Sequence, residues 1–196
     1  TMGKLGFSYD EIKKINPEII YATICGFGYD SAYPGKPGYD IIAQAFGGLM
    51  SITGYPENPP TRVGSSLADI MSGLFTTIAV LASLRERDKT GEGAYIDTAM
   101  VDCIIAVLEN AMVRYTVTGE VPKRMGSRHP SLTPFDVFQT LDSYIVIGIG
   151  NDHLWEVFCS CIPEFNSLLE DERFKTNESR SKNEAALKPL IESWTK

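Results

Sequence analysis

The 196-residue sequence has little cysteine, little histidine and no excess of positive charge, and each shortage excludes something. Its four cysteines, Cys25, Cys103, Cys159 and Cys161, are few and irregularly spaced, which suits a reducing compartment better than a disulfide framework. Cys159 and Cys161 form a C-x-C without a second pair, and His129 and His153 stand apart, so no zinc-ligand pattern is present and no metal is expected. With 18 basic against 25 acidic residues the net charge is -7, which withholds the positive face that nucleic-acid binding draws on. No apolar run reaches the roughly 18 residues needed to cross a bilayer, and the start lacks a basic patch followed by a hydrophobic stretch. A cytoplasmic protein with no membrane partner is therefore expected. No internal repeat appears.

What is present is apolar material enough, at 43%, for one good-sized core or two small ones. After a polar opening, a short helix is expected from Tyr9 to Ile15, halted at Asn16-Pro17 because proline disfavours helix in the residue before it. Ile19 to Cys25 reads as a buried strand and Tyr39 to Met50 as a helix, with Gly47-Gly48 marking close packing or an early end. Gly26-Phe27-Gly28 lacks the third glycine and the following helix of a dinucleotide fingerprint. Met71, Leu74, Phe75, Ile78, Leu81 and Ala82 recur at helical spacing up to Gly91, giving the most secure helix. Tyr95 to Ala99 reads as a strand and Val101 to Val117 as a second long helix. A linker over 118–132 is followed by a hairpin, Phe135 to Gln139 with Tyr144 to Gly148, although its turn lacks glycine. Helices at Asp152 to Cys161 and Glu184 to Trp194 complete the expectation: α/β for 1–117, then a small α+β domain over 133–196.

Asp69, in GSSLADIMSG at the mouth of the long helix, is the candidate catalytic residue. A carboxylate near the positive end of a helix dipole stays ionised at neutral pH, as a nucleophile must. Ser66 and Asp69 also have the S-x-x-D spacing of a capping box, in which the acid would only satisfy orphan backbone donors. The ten residues alone leave both readings open.

Taken in order, INPEIIYATICGFG, GYDIIAQAFGGLMSITG, GSSLADIMSGLFTTIAVLASLRERDKTGEGAYIDTAMVD, TPFDVFQTLDSYIVIGIGNDHLWEVFC and the DERFKTNESR stretch resemble the class III CoA-transferase family (CaiB/BaiF type), which includes formyl-CoA transferase and carnitine CoA-transferase. The similarity runs over essentially the whole chain but covers only the middle of a family member. It implies part of a Rossmann-like large domain, a long linker helix and part of a small α+β domain, and a homodimer of interlocked chains in the complete form.

By the same resemblance, Asp69 aligns with the aspartate that attacks an acyl-CoA thioester. CoA would then pass between carboxylic acids through aspartyl anhydride and thioester intermediates, with acyl-CoA as substrate and no tightly bound cofactor. Tyr39, Lys4, Leu5 and Met100 correspond to residues against the CoA, and Gly148 and Gly150 to a loop that closes over the aspartate. Related acyl-CoA racemases carry histidine where Tyr39 stands. A tyrosine, with a reference pKa of about 10, is a poor proton acceptor at pH 7, so transfer is favoured over racemisation. Two alternatives stay open: an acyl-CoA racemase or isomerase on the same fold, and a folded piece without catalysis, since the parts of the family fold on either side are not represented.

Overall fold

The computed structural model describes residues 2–196, which form two compact units, one ending at Arg124 and the other spanning Met125–Lys196. The first unit opens with a 3-10 turn at Met2–Leu5 and helix α1, Tyr9–Ile15, whose N-cap Ser8 accepts from the Glu11 amide. Strand β1, Ile20–Cys25, pairs in parallel with β2, Ala94–Ala99, in the register Ile20 to Ala94 through Cys25 to Ala99. A parallel pair needs a long crossover. It contains α2 (Asp40–Phe46), α3 (Leu49–Ile52) and the 24-residue α4 (Leu67–Thr90), which packs on both strands. Helices α5 (Met100–Ala106) and α6 (Asn110–Thr118) follow.

Three sequence expectations give way here. The helix expected over Tyr39 to Met50 divides into α2 and α3, because Gly48 turns left-handed at φ 86° and Gly47 lies so close to Ile104 that a Cβ would come within 2.4 Å of its Cγ2. The long helix expected over Val101 to Val117 is broken between α5 and α6, where Glu109 has φ 47°. No proline or glycine marks that break. Strand β1 is only half-buried: Ala22 and Ile24 are exposed and none of its residues is buried.

Helix α4 meets the sheet through its smallest residues. Its inward seam is made of small residues at i, i+4 and i+8: Ala68 and Ser72 are buried, and Thr76 donates to Thr98 of β2 at 2.9 Å. Small side chains let the helix approach the sheet closely. The bulky residues that define its apolar periodicity, Leu74, Phe75, Ile78 and Leu81, are exposed, as is Ile70. By length and composition alone α4 could cross a membrane, which the apolar-run criterion missed because Asp69 interrupts the run.

The core of this unit gathers where four helices meet, with Ala43, Leu49, Ala68, Met100 and Ile104 packed together. In the second unit β3 (Phe135–Gln139) and β4 (Tyr144–Gly148) form an antiparallel hairpin. Its turn needs no glycine because Thr140 and Ser143 close it, by Thr140 N–H to Ser143 O and Ser143 N–H to Thr140 Oγ1, both 2.9 Å. Helices α7 (Asp152–Ser160), α8 (Asn166–Glu170), α9 (Asn177–Lys182) and α10 (Glu184–Thr195) enclose a core of Phe138, Trp155, Cys159, Phe174, Leu187 and Ile191.

At the centre of that unit lies Arg180, with no solvent exposure. Its Nε donates to Thr133 O at 2.7 Å, Nη1 to Phe174 O and Lys175 O at 3.0 and 3.1 Å, and Nη2 to Asp152 Oδ1 at 2.7 Å. A planar fork of donors reaches four acceptors on three segments at once, which an ammonium could not do.

Candidate active site at the start of the crossover helix

The N-terminus of α4 carries unpaired backbone donors, as every helix start does. The capping box expected from Ser66 and Asp69 does not form: Ser66 makes no side-chain cap bond, and its φ -77° and ψ 71° depart from the extended conformation of an ordinary cap. The donor at Ala68 goes elsewhere, to Asp40 Oδ1 at 2.9 Å. Asp69 is exposed in the first turn, and among the described residues no hydrogen bond or ion pair engages its carboxylate.

Asp40 is held in turn by Gln44, one turn further along α2 and fully buried. Gln44 Nε2 donates to both carboxylate oxygens of Asp40, at 3.1 and 2.9 Å, and to Ser65 O at 3.4 Å, while its Oε1 accepts from the Val63 amide at 2.9 Å. Arg62 Nη1 stands 3.8 Å from Asp40 Oδ2 and donates to Val63 O at 2.9 Å. One buried amide therefore ties α2, the loop entering α4 and the α4 cap into a single polar network. Sequence reasoning passed over Asp40 and Gln44. Their i, i+4 spacing was the available signal, and it reads equally well as an ordinary surface pair.

Tyr39, Asp69 and Met100 come together around this network. Tyr39 is the N-cap residue of α2, three-quarters exposed, and precedes Asp40. Met100 is buried in the same cluster as Ala68, so its side chain supports the first turn of α4 from below. The approach to Tyr39 is set by Gly26 and Gly38, whose backbones lie so close that a Cβ on either would come 2.6 Å from the other's Cα.

Lys4 and Leu5 lie apart from that group. Leu5 is exposed, and Lys4 lines a cleft of about 640 Å³ whose walls include Tyr9, Tyr21, Tyr29 and Tyr95 and none of Tyr39, Asp69 or Met100. Tyr9, Tyr21 and Tyr95 pack with ring centroids 5.2 to 5.9 Å apart. Asp97 fixes one wall by accepting from the Tyr29 amide at 2.7 Å and from Thr23 Oγ1 at 3.2 Å. A cationic lysine beside a cluster of tilted phenol rings can take a phosphate and a flat aromatic base together.

Gly148 and Gly150 belong to the second unit. Gly148 ends β4 against the Phe135 ring, where a Cβ would approach Cε2 to 3.1 Å, and Gly150 leads into α7 with open space around it. Neither has a positive φ.

The model of CoA-transferase family III matches residues 1–196. The chain is 45% identical over 195 residues to an acetyl-CoA:oxalate CoA-transferase of Acetobacter aceti, covering 98% of this chain and 49% of that one. It is 36% identical over 199 residues to a succinyl-CoA:mesaconate CoA-transferase of Haloarcula marismortui, covering 100% and 50%. A crystal structure of a CAIB/BAIF family protein from Brucella suis superposes with a TM-score of 0.83 at 40% identity, over 99% of this chain and 51% of that one. The chain thus spans about half the length of the curated relatives it matches.

Proposed function

The chain belongs to CoA-transferase family III, and from that premise we propose that it carries the nucleophile of an enzyme that moves CoA from an acyl-CoA to a carboxylic acid, with Asp69 as the attacking residue. The observation that carries the reading is the free carboxylate of Asp69 at a helix start whose cap is supplied by Asp40.

An Asp69 oxygen adds to the thioester carbonyl, the C–S bond breaks and CoA leaves as thiolate, giving an aspartyl mixed anhydride. The thiolate then attacks the aspartyl carbonyl, releasing the donor acid as carboxylate and leaving an aspartyl-CoA thioester. An acceptor carboxylate displaces the thiolate from that thioester to form a second anhydride. Attack of the thiolate on the acceptor's carbonyl yields the new acyl-CoA and restores Asp69. Binding the partners together replaces encounters between dilute, solvated anions by steps within one site. The anhydrides demand exclusion of water.

Oxalate and mesaconate, named for two relatives, are dicarboxylates, which supports a dicarboxylic acceptor here. The tyrosine cleft with Lys4 suits the nucleotide end of CoA, and Tyr39 and Met100 suit its reactive end. The parallel β1–β2 pair spanned by α4 supports reading 1–117 as part of a Rossmann-like domain and 133–196 as part of a smaller one. The exposed apolar stripe of α4 supports burial against further protein, a second chain included, as in a homodimer.

Acetyl-CoA and oxalate give oxalyl-CoA and acetate in this reading, followed by chromatography of the CoA esters. Asp69→Ala is expected to abolish the exchange, and retained turnover would rule the role out.

A further inference from the structure

Asp40 occupies the place that Ser66 is spaced to fill. Resting on the reading of Asp69 as nucleophile, we infer that Asp40 is a positioning residue: by capping α4 from another helix it keeps Asp69 out of a capping box.

In an ordinary start of this sequence, Ser66 would accept from the first-turn amides and Asp69, three residues on, would reach back to the Ser66 amide. Its lone pairs would then be engaged in local backbone bonds. Instead the cap comes from 28 residues earlier in the chain, with Asp40 Oδ1 on the Ala68 amide. Gln44 fixes that carboxylate through both oxygens and fixes the entering loop through Val63 and Ser65. Because Gln44 is fully buried, any displacement of Asp40 strips its enclosed Nε2 of both carboxylate partners and leaves it only Ser65 O at 3.4 Å, and the arrangement resists it. Ser66 is held away from cap geometry, and the reciprocal bond that would occupy Asp69 has no frame to form on.

The test compares Asp40→Ala and Asp40→Asn with the unaltered chain, by crystallography and by trapping. With acetyl-CoA and hydroxylamine, attack of the amine on the aspartyl thioester breaks its C–S bond, releasing CoA thiol and leaving a hydroxamate on Asp69 that mass spectrometry reads. In Asp40→Ala, Ser66 is expected to turn into the cap, Asp69 to accept from its amide, and hydroxamate formation to fall about tenfold. Asp40→Asn keeps an acceptor oxygen and is expected to stay within about threefold of the unaltered chain. Thr76→Val, which loses the Thr76–Thr98 bond away from the cap, serves as the stability control. It should lower the melting temperature and leave trapping unchanged.

The inference is overturned if Asp40→Ala leaves Ser66 and Asp69 in place, or if Thr76→Val lowers trapping as much as Asp40→Ala does. Should Asp40→Ala not fold, Ser66→Ala decides: an unchanged melting temperature is expected, and a fall of several degrees would mean that Ser66 caps α4 after all. If Asp69→Ala still turns over and no hydroxamate forms on Asp69, the nucleophile reading fails separately. The Asp40→Ala structure then still decides whether Asp40 holds Ser66 and Asp69 apart.

Discussion

Asp40 Oδ1 lies 2.9 Å from the Ala68 amide nitrogen, a single hydrogen bond that joins the residue after Tyr39 to the residue before Asp69. Two side chains far apart in sequence are thereby set at one helix mouth. The bond does this without touching either of them, so its loss and theirs can be told apart.

Tyr39 is exposed, and no side-chain cap bond holds it to α2. Tyr39→Phe should change stability by no more than about 0.5 kcal/mol in urea denaturation. If the hydroxyl meets bound CoA, KM for the acyl-CoA should rise about fivefold, the equivalent of one hydrogen bond. A fall in kcat with unchanged KM would place the phenol at the reacting atoms.

Gly38 cannot yield to a larger residue, since its Cβ would stand 2.6 Å from Gly26 Cα and the obstacle is backbone. Gly38→Ala should cost about 1–3 kcal/mol of stability and displace Tyr39 and Asp40 together. Urea denaturation measures the first effect and loss of CoA transfer the second. An undisturbed variant would mean that the two loops do not meet in solution.

Arg180 is the keystone of the second unit. Arg180→Ala should destabilise it by about 3 kcal/mol or more, since four acceptors lose their donor and the space over the Trp155 ring empties. Arg180→Lys restores at most part of this, because a point charge cannot serve acceptors spread around a planar fork. Far-ultraviolet circular dichroism in urea gives both values.

Cys159 and Cys161 sit two residues apart in opposite surroundings, one buried and one exposed. Burial pushes the Cys159 thiol up to about 12, so almost none of it is thiolate at pH 8. Iodoacetamide at pH 8 should modify Cys161 in the folded protein and leave Cys159 intact until urea unfolds the chain. Equal labelling of the two would mean that the second core opens readily.

The hairpin of β3 and β4 was legible to the residue, because two short aromatic and β-branched runs on either side of Thr140-Leu141-Asp142-Ser143 are local signals. So was the end of α4, where Gly91 takes φ 71°. The inward face of α4 was not legible: periodicity reports which residues share a face and not which face is covered. Here the small residues Ala68, Ser72 and Thr76 face the sheet, since close approach of helix to strand rewards the smallest side chains.

Asp69 could be singled out from its spacing and from the order of the surrounding motifs, and those need no coordinates. Its freedom could not. Whether an S-x-x-D start closes on itself depends on which acceptor reaches the first amides, and that acceptor came from α2 across a loop. The sequence by itself determined the family, most element boundaries and the position of the carboxylate, because these are written in short windows and their order. Only the tertiary structure decided what caps the helix and which of its faces is covered, because both are contacts between segments that no local pattern encodes.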